Sequence, residues 1–156
     1  MKIVTTDLLR HVSAQARTNP RLRQNYNIHS SDNSRCHRLL NAMEPASYIR
    51  PHRHLDPEKD EAFILMSGRL GIITFHDNGD ISEKLVLSFQ DGILAADIPN
   101  GIFHTALSLE SGTVFYEAKA GPYHPLTDDE KASWAPGDGD PGALIYLELL
   151  QNLFIP

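Results

Sequence analysis

Cysteine is almost absent: Cys36 stands alone among 156 residues. A lone cysteine makes no intramolecular disulfide, so the fold must rest on burial and hydrogen bonding, and a reducing cytoplasm is the expected setting. Long hydrophobic runs are missing too. Asp7, Arg10 and Arg17 interrupt the N-terminal stretch and leave no secretory apolar region. No window nears the ~20 apolar residues that a membrane-spanning helix needs. Positive charge is in deficit, 14 Lys and Arg against 20 Asp and Glu, for a formal net charge of -6. That balance excludes wholesale binding of a phosphate backbone or attraction to an anionic bilayer, so neither a nucleic-acid nor a membrane partner is expected. Gly and Pro, ten of each, are too few for a low-complexity chain. There is no Gly-rich phosphate loop and no nucleophile elbow.

What is present reads as one domain over 1–156, on the usual prior of ~100–200 residues per domain. Residues 1–36 form a helical N-terminal arm. Leu8, Leu9, Val12 and Ala16 fall at helical spacing, with Thr6 or Asp7 as cap and Asn19-Pro20 as stop. Residues 21–36 are polar and read as a surface loop or extended arm. Over 37–120 the texture is β. Short apolar or alternating runs at 48–54, 61–66, 69–75, 81–89, 93–98, 102–109 and 113–119 are separated by turn signals such as Asn78-Gly79 and Ser67-Gly68. With no crossover helices, these strands predict a sandwich, jelly roll or barrel. Residues 121–140 read as a Pro/Gly/Asp-rich connection. A last helix is expected to start with Asp140 as N-cap and Pro141 at the first helical position, packing through Leu144, Leu147 and Leu150.

Histidine is the surplus residue, eight in all. In an extended segment His52 and His54 share a face and can hold one metal ion together. Glu61 heads the apolar face of the next strand with Phe63 and Leu65. A carboxylate there needs a partner, because an unpaired buried charge is costly. The turn Pro99-Asn100-Gly101 delivers His104 onto a separate strand. Three imidazoles and a carboxylate suit a first-row divalent ion, with Zn, Fe, Mn and Ni all admissible. By parity Tyr48 and Arg50 face inward with His52 and His54, Tyr48 as a catalytic candidate and Arg50 as a forked donor to an anionic substrate. Glu117 and Lys119 share a face of a later strand as an acid–base pair, or as a structural ion pair. Lys59 and Tyr123 sit in loops that border the mouth and are candidate substrate contacts. His11, His29, His37, His76 and His124 read as solvated, and Cys36 as an inert thiol.

These residues resemble the cupin superfamily, an all-β jelly-roll barrel also described as a double-stranded β-helix. Its first motif places His-x-His three or four residues before a Glu, and a Gly six residues beyond that. His52, His54, Glu61 and Gly68 match in type, although six residues separate His54 from Glu61. Glu58 fits the His-to-Glu spacing but misplaces the glycine, so Glu61 is preferred and Glu58 stays open as the alternative. Pro99, Gly101 and His104 match the second motif. The runs RLLNAMEPASYIRPHRH and IPNGIFHTALSLESGTVFYEAKAGPY, the Pro57-Glu58-Lys59 insertion and Trp134-Ala135-Pro136 are similar to WbuC-type cupin metalloproteins, a group associated with bacterial surface-polysaccharide (O-antigen) loci. The resemblance implies a metal-binding cupin with a short helix at each end. It implies a small-molecule substrate, a sugar or anionic metabolite, in isomerase- or epimerase-type chemistry, and a homodimer. An iron-dependent dioxygenase, a non-catalytic sugar-binding module and a metal-free acid–base epimerase are the alternatives.

Overall fold

The computed structural model describes residues 1–155, in the order α1 (Thr6–Thr18), β1 (Arg23–Asn27), β2 (Cys36–Met43), β3 (Glu61–Ser67), β4 (Arg69–Phe75), β5 (Ile81–Ser88), β6 (Ala95–Ile98), β7 (Phe103–Ser108), β8 (Thr113–Ala120) and α2 (Ala143–Asn152). A 3-10 turn, Asp128–Glu130, lies in the long connection before α2. The strands form two antiparallel sheets, β1-β2-β8-β3-β6 and β5-β4-β7. Among the described residues no helix is long and apolar enough to cross a membrane.

Period-two alternation sorts the side chains of β2, β3 and β8 onto two faces. One face carries Met43, Phe63, Leu65 and Phe115, which meet Leu70, Ile72 and Ala106 of the other sheet in the barrel interior. The opposite face carries Leu40, Ala42 and Val114, which α1 covers with Val12 and Ala16. The smaller sheet is covered on its outer side by α2. Ile73, Phe75 and Leu107 pack there against Ala143, Leu147 and Leu150, with Trp134 at the edge. Each fully buried Leu or Phe in these layers contributes about 1.5–3 kcal/mol of transfer free energy.

Local details depart from the sequence expectations for physical reasons. The cap of α1 is Thr5, whose hydroxyl accepts from Leu8 N–H. At the other end Asn19 is extended, as a residue before proline must be. Residues 21–36 contain the edge strand β1, whose Asn25 and Asn27 lie opposite Asn41 and Leu39 of β2. Residues 48–54 form no regular strand; among them only His52 makes β-bridges, to His104 and Lys131. The last helix starts at Ala143, because the Asp140 carboxylate is engaged by Gly137 N–H at 2.6 Å. Leu144 therefore sits on the exposed side of α2, while Leu147 and Leu150 are buried.

The corner at which the chain passes from β3 in the larger sheet to β4 in the smaller depends on Gly68. Its φ is +76°, and a Cβ there would stand 2.5 Å from Thr113 Oγ1 and 2.7 Å from Thr113 Cα. We expect Gly68→Ala to cost about 2–4 kcal/mol, from left-handed strain and the forced shift together. At about 2–4 °C per kcal/mol for a chain of this size, its thermal midpoint should fall by roughly 5–15 °C. Gly92→Ala, with φ +72° but nothing within 4 Å, should lose only about 1–2 kcal/mol. Equal midpoints for the two variants would contradict this account of the corner.

Candidate metal centre

The segment Pro51–His54 is threaded beside β7 by backbone hydrogen bonds. His52 N–H donates to His104 O at 3.0 Å, His104 N–H returns to His52 O at 2.8 Å, and Gly101 N–H donates to His54 O at 2.7 Å. Proline is tolerated because Pro51 contributes only its carbonyl, which accepts from Ala132 N–H at 3.0 Å. The 56–60 insertion is tied to the same place. Asn100 donates to the Asp60 carboxylate through its backbone N–H at 2.8 Å and its amide at 3.0 Å, and to Pro57 O at 3.0 Å. These bonds hold the Asp60 carboxyl below its ordinary range, the backbone N–H contributing most. The turn that launches β7 is thereby pinned to the turn that launches β3, which brings His104 and Glu61 together.

Glu61 is only 2% exposed. One carboxylate oxygen lies 2.8 Å from His54 Nε2 and 2.5 Å from Lys119 Nζ; the other lies 2.9 Å from His104 Nε2. The ligand atoms of His52, His54 and Glu61 all lie within 4.8 Å of one another, a group that can hold a metal ion. The His52 and His104 rings approach to 4.7 Å between centroids. Glu58 is exposed on the insertion, its N–H bonded to Asp56. Burial pushes the Glu61 carboxyl up, but the hydrogen bonds from His104 and His54 and the Lys119 charge outweigh it and hold it well below the carboxylate range. Burial, reinforced by His104, pushes His52 down to about 3, so its ring is neutral at physiological pH.

The donor set fits a divalent ion. His52 Nδ1 lies 3.1 Å from Arg50 O, and His104 Nδ1 lies 2.9 Å from Ile102 O. A carbonyl only accepts, so both Nδ1 atoms carry their protons and Nε2 bears the lone pair in the neutral ring. In that neutral ring the lone pair of His104 Nε2 would face a carboxylate oxygen, acceptor against acceptor, so the 2.9 Å approach calls for a shared proton, which makes the hydrogen bond to Glu61, or a cation in its place. Orientation of ligating imidazoles through the remote nitrogen is the usual outer support of a metal site.

These residues open into a cavity of about 500 Å³. Its wall follows from strand register. His37, Lys119 and Glu61 lie opposite one another across β2, β8 and β3; Leu39, Glu117 and Phe63 form the next row. Lys119 Nζ also reaches Glu117 at 2.7 Å, and Glu117 accepts from Asn41 Nδ2 at 2.5 Å. Burial would lower Lys119, but Glu117 first and Glu61 second more than offset it and raise its affinity for the proton. Tyr123 stands exposed at the mouth.

Other expected positions lie elsewhere. Tyr48 does not face the cavity: it packs in the core under α2, and its hydroxyl donates to Pro136 O at 2.8 Å. Burial pushes that phenol above its ordinary range. Arg50 spends Nε and Nη2 on Ala132 O, at 3.0 and 2.6 Å. The parity argument fails for both because residues 48–51 are not a strand. Lys59 is buried within the 56–60 insertion and does not line the cavity. His11, His76 and His124 are exposed as expected, but His29 and His37 are buried in the wall. Sequence reading passed over them and Asn41; alternation through Asn25, Asn27, Leu39, Asn41 and Met43 was the available signal.

Residues 4–87 match the model of a family described as a domain of unknown function, DUF6016. No curated protein matches the chain. Among solved structures, TT1209 from Thermus thermophilus is similar at a TM-score of 0.54 and 21% identity, covering 77% of this chain and 97% of that one. KdgF from Halomonas sp. gives 0.51 and 18%, covering 71% and 86%. The capsular polysaccharide assembling protein CapF from Staphylococcus aureus gives 0.53 and 23%, covering 69% of this chain and 29% of that one. These likenesses establish the jelly-roll cupin fold.

The depressed Glu61 carboxyl makes a pH prediction for metal-free protein. A carboxyl held low in the folded state adds stability that is full above its unfolded value, near 4.3, and fades as pH falls through the folded value. Glu61→Gln should therefore cost about 3–5 kcal/mol at pH 7. The deficit, measured by urea unfolding, should shrink steadily as pH is lowered towards 3. A deficit that holds constant or grows with acid would contradict the assignment.

Proposed function

We propose that this chain, which belongs to the DUF6016 family, is a divalent-metal cupin enzyme acting on a sugar or sugar derivative. The observation that carries the metal is the buried Glu61 carboxylate facing an imidazole nitrogen whose ring is already anchored through its other nitrogen. His52, His54, Glu61 and His104 would hold the ion. When bound, it would polarise a carbonyl or hydroxyl oxygen and lower the pKa of a coordinated water. The sugar class is supported by two likenesses: the WbuC-type resemblance in the sequence, and the similarity to a capsular polysaccharide assembling protein.

Glu117 is the acid–base group in this reading and Lys119 the charged group beside it. Lys119 sits between two carboxylates on the cavity wall and keeps its proton, so it stabilises a developing oxyanion as a fixed cation while Glu117 exchanges the proton with substrate. Asn41 orients Glu117 from the neighbouring strand. The apolar rows beneath, Phe63 and Phe115, limit water around the reacting group. The protein acts in the cytoplasm as a homodimer on this reading.

Protein purified without chelator should carry about one divalent ion per chain, as a four-ligand site with open positions requires. His52→Ala and Glu61→Ala should lose it, and Glu58→Ala should keep it. Lys119→Met should retain the ion while turnover of its sugar substrate falls by roughly 10²–10³-fold. Metal kept by Glu61→Ala and lost by Glu58→Ala would overturn the ligand set. A blank turnover screen of fully metallated protein on nucleotide- and phospho-sugars would overturn the sugar enzyme.

A further inference from the structure

The cavity has a second polar station away from Glu61. His29 and His37 stack with their ring centroids 4.1 Å apart and their planes 17° from parallel. Each is 5% exposed, and both line the cavity. His37 is directly opposite Lys119 in the strand register, and Lys119 is directly opposite Glu61. The pair therefore stands two strand spacings from the carboxylate, about 9–10 Å across the same inner face.

The backbone sets both rings. Arg38 N–H donates to His29 Nδ1 at 3.1 Å. Arg38 O lies 3.0 Å from the same nitrogen, but it already accepts from Ile28 and His29 backbone N–H groups. A protonated Nδ1 would set a donor against the Arg38 N–H, so the His29 proton belongs on Nε2. His37 Nε2 donates to Asp32 O at 3.1 Å, which leaves Nδ1 as a bare acceptor. One ring thus keeps a free donor and its stacked neighbour a free acceptor. The surroundings are built to hold them there. Tyr123 N–H donates to Asp32 O at 2.8 Å and Gly121 N–H to Arg35 O at 2.9 Å. A Cβ on Gly121 would meet Ser34 O at 2.0 Å and the His37 ring at 2.5 Å, so only glycine leaves room for that ring.

A donor beside an acceptor, with the amide of Asn27 also on this wall, is the chemistry that recognises neighbouring hydroxyl groups. We infer that the stacked His29–His37 pair is a hydroxyl-binding subsite that positions the far end of a hexose while its reacting end lies at Glu61 and Lys119. The inference rests on the sugar reading above and names the residues that would enforce it. The pair is a positioning element, not a catalytic one, since it stands two strands from the Glu61 carboxylate.

The test uses histidine-labelled protein loaded with zinc, titrated with D-glucose, D-galactose and D-mannose and followed by the ring signals of His29 and His37. Tetrahydropyran, a ring without hydroxyls, is the control. At least one hexose should move both signals saturably in the millimolar range, and tetrahydropyran should move neither. His29→Phe and His37→Phe should weaken that hexose at least tenfold while zinc content stays at the wild-type level. Hexoses that leave both signals unmoved, or variants that bind as tightly as wild type, would overturn the subsite. The wild-type signals decide the matter even if a variant fails to fold. Protein that takes up no zinc contradicts the metal reading alone, and the same hexose titration of that sample still decides the subsite.

Discussion

A carboxylate 2% exposed inside a barrel is the constraint on which the rest of the interior depends. Ionised, it needs compensation from every side. Glu61 obtains it from two imidazole nitrogens and a lysine, each on a different segment of chain. Those contacts fix the Pro51–His54 segment, β7 and β8 relative to β3. They also explain why Lys119, itself set between two carboxylates, keeps its proton so firmly. Protons on the facing imidazole nitrogens satisfy the charge by hydrogen bonds, and a divalent ion in place of those protons would meet the same nitrogens as lone-pair donors.

Around this centre the layers divide the work. α1 seals the outer face of the larger sheet and α2 that of the smaller, so the strands facing the cavity are free to carry polar side chains. The cavity-facing rows run from the polar His37, Lys119 and Glu61 to the mixed Leu39, Glu117 and Phe63, and a one-residue slip would turn Glu61, Lys119 and His37 out of the cavity together. Site and fold are therefore specified by the same pairing.

Much of this was legible in the sequence because its physical signals are local. The β-texture with turn residues located β3 to β8 within a residue or two. His52, His54, Glu61 and His104 followed from alternation and from one glycine turn. Glu61 was preferred over Glu58 because its strand and terminal glycine come out in register, and it is the residue that the fold buries beside the histidines. What escaped depended on tertiary packing. Tyr48 and Arg50 were assigned inward on strand parity, but Pro51 and the bridges to His104 and Lys131 make that segment irregular. His29 and His37 looked solvated in a polar stretch. Only the pairing of β1 with β2, and the return of the chain at Gly121, encloses them.

The central claim is that the Glu61 carboxylate and the imidazoles around it are ligands of one divalent ion rather than a self-contained ion cluster. Anomalous diffraction at the metal edge from crystals of metal-loaded protein tests it most directly. The account predicts a single peak among Glu61 and the Nε2 atoms of His52, His54 and His104, at about 2.0–2.2 Å from each ligand atom. A peak held by other residues, or no peak while Glu61 keeps its direct hydrogen bonds to His54 and His104, would contradict it.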